Sequence, residues 1–387
     1  MPPVHVRGVW LAALFALIAS PLASSAAQSG STASTVALDD SVFLPIRSPA
    51  TISFGYPPND IFLPRIIEQI RRRQFDSLDT MFGELAADVR RDVRNEVRLG
   101  DAFEAAERDE PELLAHIDAW VAARPSSAHA RVARARYRLA EAWRRRGGAY
   151  IRDTPPEKLR GMEESATKAF QDVLAALRVD STHMIAYETG IDLMQLAGSH
   201  EAAFNLMTRG LAMHPGSYGL PKTFVGMLWP RWGGTEELMM QFAERAAQDS
   251  ARNPRLVTLR GAVNETRAYD STLAGNYAGA VREMNKALAY GPERLYVRAR
   301  GKAYFQLGAY EYAFNDLRAV IIERSQDKEA LDYYGRTLVQ LATRARPGIR
   351  STILDRAVEV LTLAAYLDPS NTNVRAALDR AMKMAGM

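Results

Sequence analysis

Small and aromatic residues recur at a spacing of about 33 residues in the C-terminal part of this chain, and this repeat limits the possible folds most strongly. The clearest unit, residues 294–327, carries glycine, tyrosine, alanine and leucine at fixed offsets: Gly301, Tyr304, Gly308, Tyr310, Ala313 and Leu317. The preceding unit repeats the pattern, with Ala280 lying 33 residues before Ala313. Such a period is typical of arrays whose units bury their apolar faces against their neighbours. The sequence therefore predicts stacked helical units whose small residues let two helices approach closely.

The last unit has a wider spacing than the others, and the residues after it indicate how the array ends. Gly335 and Ala357 are about ten residues further apart than the pattern expects. The excess falls in residues 343–352, which contain Pro347 and are predicted to form a loop between two helices. Residues 371–387 are predicted to form a capping helix, because the last unit of an array would otherwise expose its apolar side.

The C-terminal units resemble the tetratricopeptide repeat, a helical hairpin of about 34 residues. That resemblance implies an all-α fold, a right-handed α-solenoid of tetratricopeptide-like hairpins with a C-terminal capping helix. We expect well-formed repeats over residues 256–387 and degenerate ones over residues 60–255. The sequences around Trp120, Trp143 and Trp229 also make residues 60–250 similar to an uncharacterised bacterial domain family that is often attached to such repeats. This second resemblance implies a fold and no activity.

The tetratricopeptide resemblance also implies which side chains face the groove. In that family the first helix of each hairpin lines the groove. Carrying the inward positions onto this chain gives the partner-binding candidates Glu265, Tyr269, Arg298, Lys302, Phe305, Asp332 and Arg336. Their mixed charges favour an extended peptide or protein segment held by polar contacts and one or two aromatic rings. The alternative is that these side chains are only solvated.

A row of arginines is a second candidate for binding. Arg131, Arg134, Arg138 and Arg145 fall on one side of a predicted helix. An exposed row of this kind can bind a carboxylate, a phosphate or an acidic peptide. The alternative is ion pairing inside the protein, with the acidic residues of segment 101–112 as partners.

Catalytic motifs are nearly absent from the sequence. The chain has no cysteine, and His200 lacks the second histidine four residues later that a zinc-protease helix requires. No cofactor or metal is therefore expected, and an adaptor is the leading hypothesis. The competing hypothesis is a hydrolase-type enzyme with a site near His116, His129 and the segment Trp229–Gly234. That segment has a structural alternative, a turn packed into the core whose glycines permit positive φ.

Charge and composition restrict the class of partner. With 49 basic and 45 acidic residues, the net charge is +4, a small excess for 387 residues that does not indicate nucleic-acid binding. Apolar residues make up 47% of the chain, which is enough to form a buried core. We therefore expect a protein or peptide partner.

The first 27 residues have the pattern of a secretory signal. Arg7 precedes an apolar run over residues 8–19, Pro21 follows it, and small residues lead to Ala27. The run is shorter than the roughly 20 residues of a spanning helix, and no other stretch is predicted to cross a membrane. An uncleaved signal anchor is the alternative. Residues 28–59 predict a flexible linker, and the expected location is periplasmic or secreted.

The signal pattern makes a direct prediction about the mature protein. Chain recovered from a periplasmic extract should begin near Ala27 or Gln28, because the small residues there suit the cleavage site of a signal peptidase. N-terminal sequencing measures this. Recovery of a cytosolic protein that begins at Met1 would contradict it.

Overall fold

The computed structural model describes residues 56–387, and this part of the chain is all-α, with seventeen α-helices joined by short turns and 3-10 segments. The predicted signal at residues 1–27 and most of the predicted linker lie outside the described residues. The first nine helices are α1 (Leu63–Arg71), α2 (Phe75–Arg91), α3 (Glu96–Phe103), α4 (Pro111–Ala123), α5 (Ala128–Arg146), α6 (Pro156–Val179), α7 (Met184–Ala197), α8 (His200–Met213) and α9 (Gly219–Met227). The others are α10 (Glu236–Ala247), α11 (Ala262–Leu273), α12 (Tyr277–Leu288), α13 (Arg294–Gln306), α14 (Tyr310–Glu323), α15 (Lys328–Arg344), α16 (Pro347–Leu367) and α17 (Thr372–Ala385).

From α5 onward the helices pack as successive hairpins, each helix against the next one along the chain. The pairs are α5 with α6, α7 with α8, α9 with α10, α11 with α12, α13 with α14, and α15 with α16. The first helices of neighbouring hairpins also contact each other, as α13 and α15 do. These first helices share one surface, which we call the first-helix face. The all-α fold of stacked hairpins predicted from the repeat is confirmed.

The repeat residues have the packing roles that their sizes predict. A Cβ atom added at Gly301 would lie 3.0 Å from Cβ of Asp316 and 3.0 Å from Cγ of Leu317, so α13 and α14 approach each other too closely for a larger residue. Ala313, Tyr304 and Leu317 are completely buried. Small residues at the crossing and large ones beside it therefore determine how the hairpin closes.

The prediction of a loop over residues 343–352 is wrong. Helix α15 continues to Arg344 and α16 already begins at Pro347, so only two residues connect them. The extra sequence lengthens both helices instead, to 17 and 21 residues. Pro347 takes the first position of α16, where a missing N–H costs no hydrogen bond. Proline marked a helix start here, which the spacing argument misread as a loop.

Helix α17 closes the array as predicted. The side chain of Asn371 accepts hydrogen bonds from the backbone N–H groups of Asn373 and Val374, at 3.1 and 3.2 Å, and so caps the start of the helix. Val374 and Ala381 are buried, and they lie on the same side of the helix. The remaining surface of α17 is largely exposed.

The N-terminal helices pack against the turns that connect one hairpin to the next, through a set of buried polar groups that we call the buried seam. Glu96, at the start of α3, accepts hydrogen bonds from Tyr56 Oη at 3.0 Å, Ser217 Oγ at 2.6 Å and the backbone N–H of Tyr218 at 2.9 Å. Burial raises the pKa of Glu96, and these donors oppose that effect. This carboxylate therefore joins α3 to the turn before α9.

A second part of the buried seam joins the same N-terminal region to the turn between α14 and α15. Arg324 contacts Asp101 and Glu104, each at 2.6 Å. Burial raises the pKa of Asp101 to about 6, while the charge of Arg324 opposes the rise. The neighbouring Gln326 accepts from the backbone N–H of Leu63 at 2.6 Å and donates to the carbonyl oxygen of Ile61 at 2.7 Å.

The described end of the predicted linker belongs to this packing. Tyr56 is 9% exposed and accepts a hydrogen bond from Asn253 Nδ2 at 2.7 Å. Arg255, at the boundary predicted between the degenerate and regular repeats, is buried and paired with Glu293 at 2.7 Å. Among residues 56–387, no helix combines the length and apolar character needed to cross a membrane.

The close crossing of α13 and α14 gives a stability prediction. Ala313→Leu should lower the free energy of unfolding by about 1–3 kcal/mol, because the added atoms must displace a close-packed interface. Chemical denaturation of the parent and variant measures the difference. Ala376→Leu on the exposed side of α17 is the control and should change stability little. Equal stability of the Ala313 variant and the parent would contradict the assigned crossing.

Candidate functional site

The seven side chains predicted to face the groove fall into two groups on the first-helix face. Arg298, Lys302 and Phe305 lie on α13 and meet Asp332 and Arg336 on α15. Glu265 and Tyr269 lie on α11 and contact a different set of residues. In the first group, Arg298 and Lys302 share the partner Glu329, and Arg336 contacts Phe305 and Asp332.

Arg298 is held by ion pairs on the adjacent hairpin. Its guanidinium lies 2.8 Å from Asp327 Oδ2 and 3.3 Å from Glu329 Oε2. Asp327 also accepts from the backbone N–H of Ala330 at 3.0 Å and thereby caps α15. Burial alone would raise the pKa of Asp327, but Arg298 and Arg294 hold it below its usual range. Arg298 therefore stabilises the junction between two hairpins, in addition to lying on the first-helix face.

The other members of this group form what we call the α13–α15 patch: Lys302, Phe305, Tyr333 and Arg336. The Arg336 guanidinium carbon lies 4.7 Å from the centre of the Phe305 ring and 4.9 Å from that of Tyr333. These two rings are perpendicular, with centres 5.4 Å apart. Lys302 Nζ lies 5.3 Å from the Tyr333 ring. All four side chains are partly exposed.

The charges of the α13–α15 patch are unequally compensated. Lys302 pairs with Glu329 at 3.1 Å, whereas the nearest carboxylate to Arg336 is that of Asp332, at 3.7 Å. Asp332 is mostly buried, and its Oδ1 has no hydrogen-bond partner within the described part of the chain. The guanidinium of Arg336 therefore retains donors for another group. Sequence reasoning missed Tyr333, although it directly follows the inward position Asp332.

Glu265 and Tyr269 contact residues that the repeat pattern did not indicate. Glu265 pairs with Lys222 at 2.5 Å. Tyr269 accepts a hydrogen bond from Arg231, whose guanidinium carbon lies 5.0 Å from the tyrosine ring. The Trp229 ring centre is 5.6 Å from that of Tyr269. The tryptophan segment of the sequence therefore borders the first-helix face at α11.

This tryptophan segment forms the turn between α9 and α10, with residues Pro230–Trp232 in a 3-10 helix. Gly233 has φ of +88°, so the predicted positive φ is confirmed at this glycine. A Cβ atom at Gly234 would lie 2.0 Å from the carbonyl oxygen of Leu228, which only glycine avoids. The Trp229 and Trp232 side chains are half-buried.

The arginine row on α5 is paired within the protein, but its partners differ from those predicted. Arg134 contacts Asp172 at 2.6 Å and Asp118 at 3.0 Å, and Arg138 contacts Asp172 at 2.7 Å. Arg145 pairs with Glu141 at 2.9 Å, and Arg131 donates to the carbonyl oxygen of Pro125 at 2.7 Å. The acidic partners of Arg134 and Arg138 come from the flanking helices α4 and α6, which pack against this side of α5.

The predicted acidic segment 101–112 pairs with other arginines. Arg136 contacts Glu107, and Arg144 lies 3.1 Å from Asp109. These two arginines lie on a different side of α5 from the row. Sequence spacing located the row correctly and assigned its partners to the wrong segment.

His129 and the tryptophan segment of the alternative hydrolase site are not brought together. His129, at the start of α5, contacts His183 and the ring of Phe82. Trp232 packs against Trp143 near the other end of the same helix. The 14 residues between positions 129 and 143 correspond to about 21 Å of helix, too far for one reaction centre. Within residues 56–387, no three histidine or acidic side chains are arranged to hold a metal ion.

The contact between His129 and His183 does affect the acid–base behaviour of the protein. Nδ1 of His129 lies 3.0 Å from Nε2 of His183, whose side chain is 3% exposed. Burial lowers the pKa of His183 to about 3, and the proximity of His129 adds to the effect. Burial also lowers the pKa of His129. Both rings are therefore neutral in the folded protein at pH 7.

This histidine pair predicts a loss of stability in mild acid. Between pH 6.5 and 3 the unfolded chain binds a proton at His183 that the folded chain does not, so stability falls as the pH falls. His183 alone should contribute a loss of about 2 kcal/mol between pH 7 and pH 5. Chemical denaturation of the parent and of His183→Gln at both pH values isolates this contribution. The variant should lose less stability than the parent between the two pH values. Equal losses in the two proteins would contradict the role assigned to His183.

Residues 63–201 match the family model described as "Domain of unknown function (DUF4034)", which confirms over that range the predicted resemblance to an uncharacterised domain family. No curated protein matches the chain.

Three solved structures are similar to the chain, each at 15% sequence identity. The crystal structure of the APC/C hetero-tetramer Cut9–Hcn1 has a TM-score of 0.33 and is matched over 83% of this chain and 55% of that one. A tetratricopeptide repeat protein from Parabacteroides merdae has a TM-score of 0.32, with coverage of 79% and 99%. The P58(IPK) TPR domain has a TM-score of 0.23, with coverage of 80% and 79%. This chain thus spans about half of the first of these chains, and scores this low support no conclusion about its function.

Proposed function

We propose that this protein is an adaptor that binds a segment of a partner protein, or a peptide, on its first-helix face. The observation that carries the proposal is the α13–α15 patch, where a cation lies between two partly exposed aromatic rings. Arginine and large aromatic residues are the side chains that most often dominate binding energy at protein interfaces. Stacked helical hairpins offer extended surfaces for such contacts.

The geometry of the patch suits a segment with both polar and apolar groups. Phe305 and Tyr333 present ring surfaces on which an apolar side chain can pack, and Arg336 has donors that its distant pairing with Asp332 leaves available. Because the two rings restrict the guanidinium, little conformational entropy is lost when a partner binds it. Arg298 supports this surface through Asp327 and Glu329 and is a positioning residue in the proposal.

We also propose that the adaptor acts outside the cytoplasm, in the periplasm or as a secreted protein. The support for this location is the signal-like pattern of residues 1–27. The proposed partner is a protein or peptide. Neither a nucleic acid nor a cofactor has a role in the proposal.

The patch predicts which variants lose binding. The mature protein should capture a partner from envelope extract, and Phe305→Ala and Arg336→Ala should each weaken that partner's affinity about tenfold or more. The loss at Arg336 should be larger at low salt, because exposed charges are screened as ionic strength rises. The loss at Phe305 should depend little on salt, because it reflects apolar burial.

The control is Arg318→Ala, which removes an exposed arginine from α14, the second helix of the same hairpin. This variant should bind like the parent. Melting temperatures of all variants distinguish lost contacts from lost folding. If the partner binds the Phe305 and Arg336 variants as tightly as the parent, the binding surface lies elsewhere.

A further inference from the structure

We infer that Arg146 and Arg231, which both lie against the indole ring of Trp232, bind a carboxylate group of the partner segment. This inference rests on the proposed adaptor function and adds the chemistry of a second contact. The carboxylate belongs to an aspartate or glutamate of the partner, or to its C-terminus, and lies beside an apolar side chain.

Two distant parts of the sequence form this site. Arg146 is the last residue of α5, and Arg231 lies in the turn between α9 and α10. Their guanidinium carbons are 5.0 and 5.3 Å from the centre of the Trp232 ring. Trp143 holds this ring from α5, with ring centres 5.5 Å apart. The site therefore exists only when the first hairpin and the later turn are packed together.

Within the described part of the chain, neither arginine has a negatively charged partner. Among residues 56–387, no carboxylate oxygen lies within 4.0 Å of Arg146 or Arg231. Arg146 donates to the backbone carbonyl oxygens of Gly147 at 3.0 Å and Ala149 at 3.1 Å, and Arg231 donates to the hydroxyl of Tyr269. Each guanidinium carries five N–H donors, so several remain for a ligand.

The missing partner is unusual within this chain. The other arginines with equally buried side chains have carboxylate partners: Arg255 with Glu293, Arg300 with Asp316, and Arg324 with Asp101. Arg146 is only 5% exposed. Burial lowers the pKa of Arg146, and the like charge of Arg231 lowers it further. Two neighbouring cations without an anion oppose folding, and an anion that binds between them removes this cost.

The site is open to solvent on one side. Tyr150 is 46% exposed, and its ring centre lies 5.5 Å from the guanidinium carbon of Arg231. Arg231 and Trp232 are half-buried. The exposed parts of these side chains let a ligand reach the site from solvent, whereas Arg146 is largely buried.

The surroundings favour a peptide carboxylate over a free inorganic anion. A planar guanidinium accepts a carboxylate through two parallel hydrogen bonds. Arg231 is also surrounded by the rings of Tyr150, Trp232 and Tyr269, which offer apolar contact on more than one side. A hydrated phosphate would use the charges and none of this ring surface. An acidic residue next to a leucine or a similar side chain uses both.

The test uses two synthetic peptides and the complete chain. The acidic probe is acetyl-Leu-Glu-Leu-Glu-Leu-amide, and the neutral probe has glutamine in place of each glutamate. Binding is followed by calorimetry and by tryptophan fluorescence, because Trp143, Trp229 and Trp232 lie at or beside the site. The parent should bind the acidic probe at least tenfold more tightly than the neutral one, and inorganic phosphate should compete only weakly.

Three variants and a matched control locate the contact. Arg231→Gln and Arg146→Gln should each weaken binding of the acidic probe at least tenfold. Arg231→Lys should also weaken it, because lysine keeps the charge and lacks the planar pair of donors. The control Arg267→Gln removes an arginine from α11 that already pairs with Glu236, and it should bind like the parent. Melting temperatures accompany each titration, and Arg231→Lys is the decisive variant if Arg146→Gln fails to fold.

The outcomes separate this inference from the proposed function. Three results would each overturn the inference. In the first, the parent binds the two peptides equally well, and in the second, Arg231→Lys binds the acidic probe as tightly as the parent does. In the third, phosphate binds as tightly as the acidic peptide. If only Arg336→Ala loses the acidic probe, the carboxylate site lies at the α13–α15 patch, so the adaptor proposal stands and this inference fails. If the Arg231 variants lose both the probe and the natural partner while the Phe305 and Arg336 variants bind normally, the inference stands and the patch is not the binding surface.

Discussion

The structure depends on the buried seam that joins the N-terminal helices to the turns of the later hairpins. Removing charged groups from water costs free energy. The groups of the seam can be buried because each one contacts an oppositely charged or hydrogen-bonding partner. Arg324 shows the constraint most clearly, since it is buried and pairs with both Asp101 and Glu104. Loss of one partner in a pair of this kind typically costs about 3–5 kcal/mol, because it leaves the other charge buried and uncompensated. The array is therefore fastened at its turns, in addition to the packing between neighbouring hairpins.

The seam also determines the shape of the candidate binding surface. Asp327 lies at the point where the two meet: Arg294 and Arg298 both bind it, and it caps α15 through the backbone of Ala330. The cap sets the start of α15, and the start of the helix sets where Tyr333 and Arg336 project. A buried carboxylate thus positions partly exposed side chains about two turns further along the helix.

The sequence predicted the local parts of this structure well and the long-range parts poorly. Gly301 and Ala313 indicated a close helix crossing because each hairpin is formed by residues close in sequence. A small side chain at such a position allows the two helices to approach each other closely. Spacing carries no such information about partners. Arg134 binds Asp172 rather than the acidic segment 101–112, because the choice depends on which helix packs against α5. The loop predicted over residues 343–352 is wrong because spacing alone cannot distinguish a longer helix from an insertion. Spacing places the groove candidates on α13 and α15, whereas the contacts around Trp232 join α5 to a later turn and follow no spacing.

The arginines that pair with carboxylates inside the protein contribute to its stability, whereas we assign a binding role to the two arginines beside Trp232. Where the chain buries Arg255, Arg300 or Arg324 it supplies a carboxylate, so the free energy lost on desolvation is largely recovered inside the protein. Beside Trp232 it supplies aromatic rings and backbone carbonyl oxygens instead. Contacts between cations and aromatic rings are worth about 0.5–2 kcal/mol each, enough to hold a guanidinium in place and too little to replace a buried ion pair. An arrangement that fixes two cations in position and leaves their charge uncompensated is already organised for an anion. Binding that anion then requires little rearrangement, and the free energy of the interaction goes into affinity.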